Sequence, residues 1–169
     1  KKLMQLSIVG LIICVHWLCF YGGIKVSNVS VTMAAFSTGT LFTAIVEPIV
    51  FKRKFIWYEL IIGSVIIGAI CLIFSVEVKY GYGMLLGILA AFTASLFSVF
   101  NGVLIQDTKE PITSPVLSFV ELSAALVGLS IYLLVNGNFS IEFFSISNQD
   151  ILLLSILAGV CTVYPFIAS

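Results

Sequence analysis

The sequence predicts an all-α fold, a polytopic bundle of transmembrane helices. Of its 169 residues, 60% are hydrophobic and 9% are charged, whereas a soluble domain carries about 25% charged residues. The mean hydropathy is +1.19, and uncharged stretches recur at about the 20 residues that a helix needs to cross a bilayer. A β-barrel would instead show alternating segments about 10 residues long, and stretches such as LIIGSVIIGAICLIF do not alternate. Backbone polar groups in lipid must be satisfied within each segment, as they are in a helix.

Six stretches qualify as spans, and the short segments between them hold nearly all the ionisable residues. All are uncharged except the fifth, which contains one acidic residue. In chain order they are Leu3–Ile24, Val26–Val46, Leu60–Val76, Tyr80–Gln106, Pro115–Val135 and Ile151–Ser169. The chain starts without Met and stops while the sixth apolar stretch continues. We therefore interpret it as an internal piece of a larger membrane protein.

Composition and motifs argue against several other classes of protein. Eight basic residues balance eight acidic ones, so a basic nucleic-acid-binding groove is not expected. The sequence has no HExxH zinc motif, no nucleophile elbow and no phosphate-binding Gly-Lys loop. The four cysteines lie in predicted spans and have no CxxC spacing; they are Cys14, Cys19, Cys71 and Cys161. We therefore interpret them as small apolar residues that pack between helices. We predict no enzyme activity, no metal site and no cofactor, and a lipid bilayer as the surroundings.

The distribution of basic residues predicts the orientation in the membrane. With six spans, two basic residues, Lys25 and Lys79, lie on one side. The other side holds the remaining six, which are Lys1, Lys2, Lys52, Arg53, Lys54 and Lys109. Because an excess of Lys and Arg in short loops marks the cytoplasmic side, we expect the amino end inside and the loop from Val135 to Asp150 outside.

The fourth span carries two rows of small residues, each with a spacing of four. The first row consists of Gly83, Gly87, Ala91 and Ser95. The second row consists of Ala90, Ala94, Ser98 and Gly102. Such rows let neighbouring helices approach closely, so we expect this helix to be central in the bundle. The rows serve either as a sliding surface in a transporter or as ordinary close packing.

Hydroxyl groups cluster in the second span. Ser37, Thr38, Thr40 and Thr43 surround Gly39 near the middle of the predicted membrane. These hydroxyls are suited to bind a polar substrate, and Gly39 permits local unwinding of the kind found at transporter sites. The alternative is that the hydroxyls bond back to carbonyls of their own helix.

Two carboxylates lie inside or at the edge of predicted spans. A charge at mid-bilayer costs about 2.5 to 3.5 kcal/mol or more, so each needs a physical reason. Glu121 lies about 9 Å into the fifth span at the helical rise. It is either a proton-coupling or cation-attracting carboxylate at the entrance of a wet cavity, or an interfacial residue of a helix that starts late. Glu47 precedes Pro48, one turn from the basic cluster at 52–54, and is either a coupling charge or a boundary charge paired with that cluster.

The first and sixth spans resemble each other. LSIVGLIICVHWLCFY aligns with LSILAGVCTVYPFIAS without gaps, and His16 then faces Tyr164. The offset covers five helices, so the alignment indicates an internal repeat whose two units are inverted in the membrane. His16, beside Trp17, is either a proton relay or ligand contact, or it only hydrogen-bonds a neighbouring helix.

The stretch IKVSNVSVTMAAFSTGTLFTAIVEPIVFKRKFIWYELIIGSVIIGAICLIF resembles the EamA family of the drug/metabolite transporter superfamily. It combines a short Ser/Asn loop, an Ala-rich span, a Pro before a basic loop, and a Glu one turn before Gly-x4-Gly. The following GYGMLLGILAAFTASLFSVFNGVLI resembles the first helix of that family's second half. The resemblance implies a ten-span fold of two inverted five-helix repeats, with 1–79 in the first repeat and 80–169 in the second.

The resemblance also implies a function. Members of this family are secondary transporters that move small metabolites or drug-like solutes by alternating access. We therefore expect a small-molecule substrate, export rather than import, and a multi-pass location in the plasma membrane, the inner membrane of a bacterium. Proton coupling and a homodimer stay open. The solute is not carried over, because this sequence lacks the mid-span Pro that many members have near the position of Leu41.

One central cavity is our hypothesis for the substrate site, because inverted repeats bring equivalent positions together at the midplane. We expect five side chains to line it, which are His16, Trp17, Thr38, Thr40 and Tyr164. Glu121 would lie nearer the cytoplasmic edge. A transporter predicts that this cavity is hydrated. The alternative function, a non-transporting scaffold or sensor subunit, predicts a dry centre filled by Leu and Ile.

Overall fold

The computed structural model describes residues 2–76, 78–106, 111–137 and 147–163, without the side chains at 73–76, 78 and 161–163. Every regular element in these ranges is helical, which confirms the predicted all-α fold for this part of the chain. The α-helices are α1 (Lys2–Val26), α2 (Val29–Phe36), α3 (Gly39–Phe51), α4 (Trp57–Val76), α5 (Gly81–Ile105), α6 (Ser114–Val135) and α7 (Asn148–Ile156). A 3-10 turn at Val78–Tyr80 precedes α5, and a π-helical segment at Leu157–Val163 continues α7.

Within the described ranges, four helical segments are long and apolar enough to cross a membrane: α1, α2 together with α3, α5 and α6. They contain 25, 23, 25 and 22 residues, and each therefore exceeds the length needed for a hydrocarbon core of about 30 Å. The third and sixth predicted spans are also helical, but their fully described apolar parts are shorter, Trp57–Leu72 and Asn148–Val160. The chain is thus an all-α membrane protein.

The helices α1 and α5 run in opposite directions. A Cβ placed on Gly23 of α1 would lie 3.2 Å from the carbonyl oxygen of Gly83, near the start of α5. Seven residues earlier on α1, His16 contacts Ala90, which is seven residues later on α5. Close contact over two turns is possible because small residues occupy both surfaces.

The helices α3 and α5 run in the same direction. The start of α3 lies against the middle of α5, since a Cβ on Gly39 would lie 3.8 Å from Ala91 Cβ. The end of α3 lies against the end of α5, since a Cβ on Gly102 would lie 3.2 Å from the ring of Phe51. The carboxyl ends of α3 and α5 therefore share one face of the bundle, which also carries the basic cluster at 52–54. We call this the basic face.

The second predicted span is interrupted between α2 and α3, immediately before Gly39. This is the position at which Gly39 is expected to permit local unwinding of the helix. Before the break, Asn28 Oδ1 accepts a hydrogen bond of 2.9 Å from the Val31 N–H and caps α2. After it, the carbonyl oxygen of Thr38 accepts from the N–H groups of Leu41 and Phe42 at 3.0 and 3.2 Å, which starts α3 afresh. The start of α3 therefore directs the positive end of a helix dipole into the bundle.

The helix α5 is central, as the small-residue rows predict, because it packs against α1, α2 and α3. The first row is buried along its whole length. At Gly87 an added Cβ would lie 2.8 Å from Ala35 Cβ and 2.9 Å from the carbonyl oxygen of Thr32, so no larger residue fits without moving α2. Outside these, α6 packs on α1 and α4 packs on α3.

Candidate functional site

The interruption between α2 and α3 faces a cavity against α5, which we call the hydroxyl groove. Its volume is about 430 Å³, within the range of about 300 to 1,000 Å³ that is typical of small-molecule sites. The groove is lined by Phe36, Ser37, Gly39, Thr40 and Thr43 on one wall and by Ala94, Ser95, Phe97 and Ser98 on the other. Its lining is mainly apolar, and the polar groups on it are the hydroxyls of Ser37, Thr40, Thr43, Ser95 and Ser98.

Ser95 joins the two walls of the hydroxyl groove. Its Oγ lies 3.0 Å from the carbonyl oxygen of Gly39, the first residue of α3, and 3.1 Å from that of Ala91. It also accepts a hydrogen bond of 3.0 Å from Thr43 Oγ1. Because Ser95 is buried, these bonds form away from competing solvent, and they fix where α3 begins relative to α5.

The other hydroxyls beside the break bond back to their own chain segment, which was the alternative that the sequence left open. Ser37 Oγ donates to the carbonyl oxygen of Ala34 at 2.6 Å. Thr38 Oγ1 donates to Ala35 at 2.8 Å, and Thr40 Oγ1 donates to Ser37 at 3.1 Å. Thr38 is buried whereas Thr40 is exposed on the groove. Since each hydroxyl has already used its one hydrogen, the oxygens offer mainly acceptor lone pairs.

A second cavity, the acidic pocket, adjoins the hydroxyl groove and shares Thr40 and Thr43 with it. Its volume is about 390 Å³, and Glu47 and Glu59 also line it. Glu47 Oε2 forms an ion pair of 3.0 Å with Arg53 Nη2. The charge of Glu47 is thus paired with the basic cluster. The acidic pocket itself lies beside the basic face.

A third cavity, the amide pocket, adjoins the hydroxyl groove on its other side and shares Phe97 and Ser98 with it. Its volume is about 200 Å³. The remaining lining residues are Asn101, Ile105, Ser114, Leu117 and Ser118. The amide pocket therefore lies between the last turns of α5 and the first turns of α6.

Glu121 lies fully buried where α1, α5 and α6 meet. Asn101 Nδ2 donates a hydrogen bond of 3.0 Å to Glu121 Oε2. Gly10 of α1 packs directly against the backbone carbonyl group of Glu121. The helix does not start late, because α6 begins at Ser114 and Glu121 is two turns inside it.

His16 lies behind the hydroxyl groove rather than on it. Its Nδ1 lies 2.9 Å from the carbonyl oxygen of Ala90, and since a carbonyl only accepts, Nδ1 carries the hydrogen. The imidazole also contacts the rings of Phe36 and Phe97, with centroids 5.7 and 5.5 Å away. The histidine thus hydrogen-bonds a neighbouring helix and supports two aromatic groove walls.

The structure describes four of the five expected cavity residues, and it does not bring these four together on one cavity. Trp17 packs on the apolar core formed by α1, α5 and α6, because adjacent helical residues point about 100° apart and His16 already faces the other side. Thr40 lines the groove, and Thr38 is buried beneath it. Tyr164 lies outside the described residues, as does most of the loop from Val135 to Asp150.

Sequence reasoning missed two neighbours of Glu121. The sequence patterns place Asn101 in the fourth predicted span and Ser118 in the fifth, without marking either as a site residue. The available signals were an amide side chain near the end of an apolar helix, and a serine three residues before the carboxylate, which places it on the same helix face.

No family model, no curated protein and no solved structure matches this chain. The proposal of a function therefore depends on the geometry of the cavities and side chains described above.

Proposed function

We propose that this protein is a secondary transporter of the EamA type, which moves a small solute across the plasma membrane by alternating access. The observation that carries the proposal is the hydroxyl groove beside the break between α2 and α3. Transporters commonly hold polar solutes at such broken helices, because unpaired backbone groups and a helix end are present there. A scaffold or sensor subunit can bury a helix break entirely in protein, whereas here the break lies on a cavity that carries several hydroxyls.

The cavities also support a direction of opening. The acidic pocket and the amide pocket both extend from the hydroxyl groove toward the last turns of α3 and α5. These turns lie at the basic face, which we propose to be cytoplasmic because it carries the excess of basic residues. The described conformation would then be the one in which solute exchanges with the cytoplasm, and outward release would follow closure of this side.

The side chains of the groove favour a solute that carries hydrogen-bond donors. The hydroxyls of Ser37 and Thr40 offer acceptor lone pairs, and Glu47 and Glu59 add negative charge next to them. The ring of Phe97 offers an apolar surface on the opposite wall. A small amine or amide with an apolar part fits these features, whereas an organic anion would be repelled.

The test is transport by the purified protein in proteoliposomes. The panel contains amine-bearing, neutral and carboxylate-bearing solutes of similar size, measured in both directions, with and without a proton gradient. We expect at least one donor-bearing solute to move faster than in empty liposomes. Thr40→Val removes a groove hydroxyl and should slow this flux.

Thr93→Val is the matched control for that variant. Thr93 also bonds back to its own helix, with 2.9 Å bonds to the carbonyl oxygens of Leu89 and Ala90, but it does not line the hydroxyl groove. It should therefore transport like the unmodified protein. If no solute in the panel moves above the background of empty liposomes, the transporter proposal fails.

A further inference from the structure

Three buried oxygen atoms around Glu121 have no hydrogen-bond partner among the residues that the structure describes. They are Glu121 Oε1, Asn101 Oδ1 and Ser118 Oγ. Glu121 is 0% exposed and Ser118 is 7% exposed. A buried polar atom without a hydrogen-bond partner is uncommon in proteins. It indicates that an ion or an ordered water binds there. Three in one neighbourhood indicate a binding site.

These oxygens belong to side chains that the fold holds together. Ser118 and Glu121 are three residues apart on α6 and hence on the same face. The hydrogen bond of 3.0 Å from Asn101 Nδ2 to Glu121 Oε2 ties α5 to that face. Asn101 and Ser118 both line the amide pocket, which adjoins the hydroxyl groove, whereas Glu121 is buried beside them and does not line it.

Glu121 has no positively charged partner in the described part of the chain. No Lys, Arg or His there forms an ion pair with it, and Asn101 supplies its one hydrogen bond. Taking an ionised carboxylate out of water is costly unless a positive charge or several donors replace the water. A bound water would satisfy some of the oxygens, but balancing an ionised carboxylate requires a cation, and the competing ligand is a proton.

We propose that Glu121, Asn101 and Ser118 form a binding site for one partly dehydrated monovalent cation of the Na⁺ class. Carboxylate, amide and hydroxyl oxygens are the ligands that hard cations prefer. A single carboxylate matches a single positive charge, whereas a divalent ion would leave a surplus charge in an apolar surrounding. Water in the amide pocket completes the coordination. Use of this cation to drive transport rests on the proposed function, but cation binding does not.

The experiment is an ion titration of the purified protein in detergent, read as thermal unfolding and as equilibrium binding of radioactive ²²Na⁺. Na⁺ replaces choline at constant ionic strength, and the series is repeated at several pH values. We expect saturable binding of Na⁺ and a rise in Tm with Na⁺ that choline does not give. This follows because a ligand that binds only the folded state stabilises it.

Two variants and one control sharpen the result. Glu121→Gln should abolish both Na⁺ binding and the Na⁺-dependent shift in Tm. Ser118→Ala removes a hydroxyl that has no partner among the described residues, so Tm in choline should hold. Its Na⁺ affinity should fall about tenfold or more, as when a metal site loses a supporting group. Ser123→Ala is the matched control, because Ser123 Oγ only bonds back to Phe119 at 2.7 Å on the exposed side of α6.

Several outcomes would overturn the cation site. One is a protein whose Tm does not respond to Na⁺, and another is a response that Glu121→Gln and Ser118→Ala leave intact. A Tm that depends on pH through Glu121 but not on Na⁺ would assign the site to a proton instead. Because these measurements involve no transported solute, they can succeed or fail independently of the transport assay.

Discussion

The close approach of α2 and α5 at Gly87 allows one substitution to be worked through in detail. In Gly87→Ala, the new Cβ would lie 2.8 Å from Ala35 Cβ. Carbon atoms pack best at about 3.5 Å or more, so α2 must move by about 0.7 Å or the contact stays compressed. The Thr32 carbonyl oxygen, 2.9 Å from the same position, is backbone and cannot rotate away.

Two opposing terms set the size of the effect. Replacing Gly by Ala within a helix favours folding by about 1 kcal/mol, whereas overpacking a tight contact costs about 1 to 3 kcal/mol. We therefore expect Gly87→Ala to lower the free energy of unfolding by about 0 to 2 kcal/mol. Gly68→Ala provides the matched control, because a Cβ on Gly68 of α4 would meet nothing within 4 Å. That variant should be more stable than the unmodified protein.

The assay is thermal or denaturant unfolding of both variants in detergent. The difference between them isolates the packing term, about 1 to 3 kcal/mol, since the helix-propensity term is common to both. Gly87→Leu should lose more stability than Gly87→Ala. If Gly87→Ala and Gly68→Ala shift the unfolding midpoint equally and in the same direction, the small-residue row is not a tight helix contact and the reasoning is refuted.

Three further predictions follow from the basic face, its ion pair and the histidine. A membrane-impermeant thiol reagent added outside intact cells should label Asn136→Cys and spare Lys54→Cys; the reverse pattern would contradict the proposed orientation. Arg53→Ala should lower stability by about 0 to 1 kcal/mol in an unfolding assay, because the ion pair with Glu47 is partly exposed, and a much larger loss would show that the pair is structurally essential. His16→Phe should cost about 1 kcal/mol for the lost hydrogen bond and leave transport measurable, since His16 lies behind the groove; complete loss of flux in a folded variant would place the imidazole in the transport path.

The helical class and the central position of α5 could be predicted from the sequence because both rest on strong, repeated signals. Long apolar stretches can only be helical in lipid unless a barrel closes, and a row such as Gly83, Gly87 and Ala91 has value only where another helix lies close. The break near Gly39 was predictable for a similar reason, since several residues that compete with helical bonding surround it.

The grouping of the site could not be predicted, because it depends on the rotation of each helix. Hydropathy shows that α1 is a span but not which of its faces meets α5 and which meets α6. His16 and Trp17 are adjacent, yet one contacts Ala90 and the other the core on the far side. The partnership of Asn101 with Glu121 likewise requires that α5 and α6 meet at one depth, which no local pattern encodes.

The central claim is that water and solute reach the hydroxyl groove from the basic face. The most direct measurement is the rate at which a charged, water-soluble thiol reagent modifies Thr40→Cys, on a background in which the native cysteines are replaced. Val15→Cys is the control, because Val15 lies at a similar depth on α1 and is 47% exposed on the outer, apolar surface. We predict that Thr40→Cys reacts rapidly with reagent supplied at the basic face, while Val15→Cys stays unmodified in the bilayer. Equal protection of both positions would mean that the groove is dry, and would contradict the account.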